Sequence, residues 1–159
     1  MKPLTESDIR SSFVNASSAE VESIPIPGLH EMLWDEREYL GWRDHSAPLR
    51  GYIVSWIDDR PVGIQVRTAG NSRRGIAGMC SLCHTPQPMT QVSLFSAPKA
   101  GPAGENGDTL GTYICDDLAC SLIIRLAPPH LNPPELLQRK ADGLLQRVHN
   151  FTADVMKTA

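Results

Sequence analysis

The sequence predicts an α+β fold, with an antiparallel sheet preceded by short helices and followed by one long amphipathic helix. Two neighbouring segments alternate apolar and polar residues with a period of two, which is typical of half-buried strands. The last part of the chain repeats apolar residues at three- to four-residue spacing, which is typical of a helix with one buried face. Gly- and Pro-rich stretches separate these segments and indicate turns or loops.

Length and composition indicate an ordinary globular domain. The chain has 159 residues, of which 41% are hydrophobic and 21% are charged. These values are near globular averages and exclude collagen-like, coiled-coil and fully disordered classes. We therefore expect residues 1–159 to form a single domain, which is long enough to bury a core without staples.

Charge and hydropathy exclude two further classes. Fifteen basic against eighteen acidic residues give a net charge of −3, which is unlike a protein that grips nucleic acid through bulk charge. Arg125 interrupts the longest apolar run, so no segment approaches the roughly 20 residues of a membrane helix. The charged first ten residues do not resemble a secretory signal, and we expect a cytoplasmic protein without membrane contact.

The first 44 residues are predicted to contain short helices and a set of large core side chains. Thr5 is a suitable N-cap for a helix ending near Asn15, and a second helical turn covers 18–24. The Pro-rich segment that follows forces an extended path. Segment 29–44 is expected to pack the front of the core with Trp34, Tyr39, Leu40 and Trp42.

Four strands and one long helix complete the prediction. Segments 50–56 and 61–67 form a hairpin, and 91–97 and 110–114 are two further strands, separated by a loop over 98–108. From about residue 133 to 157, apolar residues recur at helical spacing. Because its polar face mixes charges of both signs, this helix is expected to pack on the sheet rather than on a membrane.

Cysteine spacing is the most informative feature of the sequence. Cys80 and Cys83 form one short pair, and Cys115 and Cys120 form a second pair after 31 intervening residues. Two such pairs separated by strands suit tetrahedral zinc, because each pair supplies two thiolates at about 2.3 Å from the metal. An Asp after Cys115 is expected to cap a helix that runs to about residue 124 and carries Cys120 in its first turn.

A knuckle, a hairpin and a ligand-bearing helix, in that order, describe a treble-clef zinc finger, here over residues 75–125. A disulfide pair, a redox-active pair and unligated cysteines are the alternatives. The cytosolic start disfavours the disulfide, and a redox pair needs no second pair at a helix start. Four thiolates also complete the coordination of one structural Zn²⁺, so His84, which follows the knuckle, is not expected to be a ligand.

The sequence carries no catalytic motif. The Gly-rich segment 101–107 lacks the lysine and the following helix of a phosphate-binding loop. No serine, histidine and aspartate combination marks a nucleophile elbow. The sequence therefore predicts a protein that is not an enzyme.

Several segments, in order, resemble the FBP domain. They lie at residues 3–15, 40–44 (LGWRD), 79–84 (MCSLCH) and 111–121 (GTYICDDLACS). The FBP domain is the treble-clef zinc-finger domain of the elongation factor G binding proteins, which are related to fusidic acid resistance proteins. The resemblance covers about residues 1–125, and only the four zinc ligands carry over residue by residue.

The resemblance implies that the protein binds elongation factor G and promotes its release from the ribosome, which in the resistance proteins protects translation from fusidic acid. The segments that carry the resemblance do not include the separate N-terminal helical domain of the resistance proteins, so we expect the protein to be similar to the compact actinobacterial members. Fewer basic residues than expected in 101–107 argue against an rRNA contact there. The alternative function is an RNA-binding zinc module, for which Arg67, Arg73 and Arg74 would contact phosphates and Tyr113 or Trp56 would stack on bases.

Five residues near the zinc unit are candidates for the partner surface. Each also has an ordinary structural interpretation: a basic pair in a turn is usually solvated, and an aromatic residue that alternates within a strand usually faces the core. The candidates are Arg73, Arg74, His84, Phe95 and Arg125.

Overall fold

A five-stranded antiparallel sheet forms the centre of the protein, of which the computed structural model describes residues 1–70 and 78–157. In the described residues, the strands are β1 (Leu40–Arg43), β2 (Arg50–Ile57), β3 (Arg60–Thr68), β4 (Gly78–Met79), β5 (Pro86–Gln87), β6 (Val92–Pro98) and β7 (Thr109–Cys115). The sheet has the order β1-β2-β3-β6-β7, and β4 and β5 pair separately as a small hairpin.

Five helices surround the sheet in the described part of the chain. They are α1 (Glu6–Ser12), α2 (Ser18–Glu22), α3 (Gly101–Glu105), α4 (Cys120–Ile123) and α5 (Pro134–Met156). Single turns of 3-10 helix lie at Leu29–Glu31, Trp34–Glu36 and Met89–Gln91. The mixed helix and antiparallel sheet confirms the predicted α+β class.

Capping explains where the first helix begins. Thr5 accepts a hydrogen bond from the backbone nitrogen of Asp8 (3.0 Å), and the Asp8 carboxylate accepts one from the nitrogen of Thr5 (2.9 Å). The helix ends at Ser12, three residues before the predicted end, because Phe13 turns into extended backbone. The Val14 nitrogen then donates to the Gly63 carbonyl on β3 (3.0 Å).

The hairpin of β2 and β3 is confirmed and carries the two halves of the core. Its turn residues Asp58 and Asp59 both have positive φ, as tight hairpin turns require. Ile53 belongs to the main core with α5 and the cysteines, whereas its neighbour Val54 belongs to a second core with α1. Alternate residues of one strand thus serve opposite faces of the sheet.

Asn15 joins two strands where their own pairing is short. In the described residues, β3 and β6 pair only at Arg67–Ser96 and Thr68–Phe95. Nearby, the Asn15 amide donates to the carbonyls of Gln65 and Pro98, both at 2.9 Å. The Asn15 side-chain oxygen also accepts from the Gln65 nitrogen at 2.7 Å. One carboxamide therefore replaces ladder bonds that the two strands do not form directly.

Segment 98–108 is not the plain loop that the sequence predicts, because it contains helix α3. A Cβ on Gly104 would lie 1.7 Å from the Lys99 carbonyl oxygen, so only glycine allows the helix to fold back this tightly. The Lys99 nitrogen donates to the Asp108 carbonyl (2.9 Å) and closes the segment at its base. The glycines that indicated a loop thus allow a compact helical turn.

Helix α5 lies within one residue of its predicted bounds at each end and contacts β2, β3 and β7. Its buried side chains follow the helical period and are Ala141, Leu144, Val148, Phe151, Thr152 and Val155. The predicted packing of this helix on the sheet is confirmed. Among the described residues, no helix is long and apolar enough to cross a membrane.

Candidate metal centre

The four cysteine sulfurs converge in the main core. Their Sγ atoms all lie within 4.8 Å of one another, and each of the four residues is buried. The Cys80–Cys120 and Cys83–Cys115 sulfurs are each 3.6 Å apart. Zn–S bonds of about 2.3 Å in a tetrahedron place neighbouring sulfurs about 3.8 Å apart. The donor set and its spacing therefore fit one Zn²⁺, and no disulfide joins the four thiols.

The first cysteine pair lies in the turn between β4 and β5. Cys80 follows β4, and the backbone nitrogens of Leu82 and Cys83 point toward its sulfur at 3.3 and 3.5 Å. The His84 nitrogen donates to the Cys80 carbonyl (2.9 Å), and His84 itself has a φ of +55°. This tight turn is the knuckle of a treble clef, and its N–H groups stabilise thiolate charge.

The second pair joins the end of a strand to the start of a helix. Cys115 is the last residue of β7, and Cys120 is the first residue of α4. The prediction that an aspartate caps this helix is wrong, because Ala119 is the N-cap and no side chain caps it. The Asp117 carboxylate instead accepts a hydrogen bond from the Ala119 nitrogen (3.0 Å). The Asp116 carboxylate accepts one from the Ser93 hydroxyl (2.5 Å).

Leu118 fixes the turn between these two ligands onto the sheet. It is fully buried, with a φ of +60° that leucine rarely adopts. A Cβ on Gly41 would lie 2.3 Å from the Leu118 carbonyl oxygen, and a Cβ on Gly51 would lie 2.3 Å from the Leu118 side chain. Two strand glycines thus create the space in which this turn packs.

Tyr39 connects the same turn to the N-terminal half of the chain. Its hydroxyl donates to the Leu118 carbonyl (2.7 Å) and accepts from the Cys120 nitrogen (3.2 Å). Burial raises the pKa of Tyr39 well above its ordinary value, so the hydroxyl keeps its proton and remains a donor.

The electrostatics of the cluster call for a cation. Hydrogen bonding from Cys115 holds the pKa of Cys83 far below its ordinary value, whereas interaction with Cys115 and burial raise the pKa of Cys120. Four buried thiols therefore cannot all ionise together without a positive charge between them. A divalent ion that prefers four thiolates supplies that charge, and zinc is the usual one.

Comparison with protein families decides the identity of this site. The model of a family described as FBP C-terminal treble-clef zinc-finger matches residues 8–155. The chain belongs to this family. No curated protein and no solved structure matches the chain in the corresponding comparisons.

Family membership and geometry agree on one zinc site. The four cysteines of this FBP family member would hold the ion, whose role is to bind the knuckle, the β6–β7 hairpin and α4 into one unit. The hairpin of this treble clef supplies two strands of the main sheet, so the zinc finger is embedded in the sheet as predicted. All four cysteines also belong to the main hydrophobic core.

The proposed partner surface is corrected in part. Phe95 is 0% exposed, because its alternating position on β6 points into the main core, and it offers no surface to a partner. Arg125 forms a two-bond ion pair with Glu38 at 2.8 and 3.0 Å and is mostly buried. His84 is exposed beside the knuckle. Arg73 and Arg74 lie outside the described residues.

Three residues around the site have no motif that predicted their role. Tyr39 contacts the Cys120 turn, Gln87 donates to the Cys115 sulfur (3.2 Å), and Arg147 donates to the Leu82 carbonyl (2.5 Å). One signal was available for Arg147, because Gly143 interrupts an otherwise regular helix four residues earlier. The other two contacts depend on long-range packing.

Proposed function

We propose that this FBP family member is a cytoplasmic, non-enzymatic binding module that engages elongation factor G and promotes its release from the ribosome. The observation that carries the proposal is the family match over residues 8–155, which includes all four zinc ligands. Release of a stalled factor would also protect translation from fusidic acid, as the family's resistance proteins do.

Coordination chemistry supports a binding role over catalysis. Catalytic zinc usually keeps one position open for water, whereas four cysteine thiolates complete the tetrahedron. In the described part of the chain all four cysteines are also buried, which argues against access of a substrate to the metal. The zinc therefore serves to hold a rigid platform, from which side chains bind a partner without a large ordering cost.

Exposed apolar side chains flank the metal centre on both ligand segments. Met79, which precedes the first ligand, is 55% exposed, and Leu122 and Leu126, which follow the last ligand, are 44% and 73% exposed. Large apolar residues in such positions are typical of protein interfaces. We propose that they and His84 contact elongation factor G, together with the basic pair Arg73 and Arg74.

Titration calorimetry with purified elongation factor G and the zinc-loaded chain tests the proposal. We expect binding at micromolar concentrations, and Met79→Asp and Leu126→Asp should weaken it at least tenfold without loss of fold. Met156→Asp is the matched control, because Met156 is similarly exposed (43%) but lies in the last turn of α5. No heat and no co-migration on gel filtration would reject direct binding. Unchanged affinity in both Met79→Asp and Leu126→Asp would reject only the proposed contact surface next to the metal centre.

Charge reversal tests the basic pair separately. Arg73→Glu combined with Arg74→Glu should weaken binding to elongation factor G while the protein stays folded, because arginine forms two-bond contacts with carboxylates. Unchanged affinity would remove this pair from the interface and leave the rest of the proposal in place.

An RNA-binding function is the second candidate, and one surface feature favours it. Arg67, Leu94 and Tyr113 line a shared groove of about 300 Å³ on the sheet, so an arginine and an aromatic residue contribute to one surface, and Arg67 also forms an ion pair with Glu20 (3.3 Å). Such pairs bind single-stranded bases and phosphates. Affinity for RNA that falls steeply with salt would support this function, whereas a protein interface gives a weaker salt dependence.

A further inference from the structure

The long C-terminal helix reaches the zinc knuckle through one side chain. Arg147 lies in the middle of α5, and its Nε donates to the carbonyl oxygen of Leu82 at 2.5 Å. Leu82 lies between the first two zinc ligands, so this hydrogen bond joins residues that are 65 positions apart in the sequence. Neither Cys–x–x–Cys spacing nor the helical pattern of α5 requires an arginine here.

The peptide that Arg147 contacts also faces a ligand sulfur. The Leu82 carbonyl belongs to the same peptide unit as the Cys83 nitrogen, which lies 3.5 Å from the Cys80 Sγ. A cation bonded to the carbonyl end of a peptide polarises the unit and makes its N–H a stronger donor. Arg147 therefore acts on the Cys80 thiolate through one rigid peptide.

A glycine inside helix α5, Gly143, leaves room for the Arg147 guanidinium. A Cβ on Gly143 would lie 3.0 Å from both terminal nitrogens of Arg147. Glycine within a helix costs about 1 kcal/mol relative to alanine. The absence of a side chain at residue 143 leaves the space that the guanidinium occupies one turn later.

Charge balance indicates why a cation is useful at this place. Zinc with four thiolates carries a net charge of −2, and burying such a charge is costly unless nearby groups compensate it. We propose that Arg147 is a positioning residue of the zinc site, which holds the Leu82–Cys83 peptide so that its N–H stabilises the Cys80 thiolate and couples α5 to zinc retention.

Zinc affinity and cobalt spectra of the full-length protein test this role. In Arg147→Met, the zinc dissociation constant measured by chelator competition should rise about tenfold, the lower end of effects for groups that orient metal ligands. The sulfur-to-cobalt charge-transfer band of the Co²⁺-loaded variant should also move to lower energy, because the thiolate loses hydrogen bonding. Arg147→Lys retains the charge and should recover part of both values.

Two controls separate this role from general stabilisation, since zinc binding is coupled to folding. Val155→Ala removes buried α5 surface far along the helix from residue 147 and should lower stability without moving the cobalt band. Arg139→Met removes an exposed arginine that makes no hydrogen bond or ion pair in the described part of the chain, and should change neither value. A cobalt band and zinc affinity in Arg147→Met equal to those of Val155→Ala would overturn the proposal.

A double-mutant cycle with Gly143→Ala gives an independent test. Alanine favours the helix but crowds the guanidinium, so it should weaken zinc affinity in the wild-type background and leave it unchanged beside Arg147→Met. Equal effects of Gly143→Ala in both backgrounds would contradict the role assigned to Arg147.

Discussion

The Tyr39 hydroxyl lies 3.2 Å from the backbone nitrogen of Cys120 and accepts a hydrogen bond from it. The same hydroxyl donates to the Leu118 carbonyl at 2.7 Å. Tyr39 precedes β1, whereas Cys120 is the first residue of helix α4. A single buried oxygen thus ties the N-terminal half of the chain to the zinc unit.

Tyr39→Phe should lower the free energy of unfolding by about 1 to 3 kcal/mol, because two buried backbone groups lose their partner while the ring still fills its space. Denaturant unfolding at saturating zinc measures the effect. A variant as stable as the wild type would show that water or a small backbone shift satisfies both groups.

Gly41→Ala should destabilise the protein by roughly 1 to 3 kcal/mol, because the added methyl group would overlap the Leu118 carbonyl and the Tyr39 ring. Gly111→Ala is the matched control: it is also a strand glycine, but its Cβ would lie at least 3.6 Å from its neighbours. Thermal unfolding of the two variants compares them directly. Equal melting temperatures would contradict the tight contact between Gly41 and Leu118.

Asp44 is expected to give the protein a pH-dependent contribution to stability. Burial alone would raise the pKa of Asp44, but hydrogen bonds from Tyr52 and from Ser46 and Ala47 outweigh it and lower that pKa below its ordinary value. The Tyr52 bond is 2.5 Å long. A lowered pKa in the folded state means that the carboxylate stabilises the fold above pH about 4 and loses this effect as pH falls through the folded-state pKa.

Asp44→Asn should therefore reduce stability by about 1.5 to 3 kcal/mol at pH 7, with a smaller difference from the wild type below pH 4. Urea unfolding across this pH range measures both values. A difference that stays constant with pH would mean that the charge of Asp44 does not contribute.

Protein purified without chelator should contain about one zinc per chain, measured by inductively coupled plasma mass spectrometry. Removal of the metal, or Cys83→Ser or Cys120→Ser, should unfold the zinc unit, because zinc binding drives the folding of such sites by about 10 to 16 kcal/mol in finger peptides. The cysteines share one core with Leu144 and Val148 of α5, so the loss should spread beyond residues 75–125. Unchanged thermal stability in both variants would refute a structural role for the metal.

The sequence alone was sufficient for the features that depend on local spacing. Alternation with a period of two located β2 and β3, and the two further predicted strand segments match β6 and β7, in each case to within one residue at each end. The apolar repeat located α5 to within one residue. The two cysteine pairs predicted the zinc site because metal geometry permits few ligand spacings. Motif order also predicted the family that residues 8–155 match.

Tertiary structure decided which side chains support the metal and which are buried. The Tyr39–Cys120 and Arg147–Leu82 contacts join residues 81 and 65 positions apart, and no local pattern specifies such pairs. Gly41 appears in the sequence only as part of the LGWRD motif, and the need for glycine there follows from the Leu118 carbonyl packed against it. Spacing along the chain determines which residues lie on the same face of a strand or helix, but only tertiary packing determines which other elements contact that face.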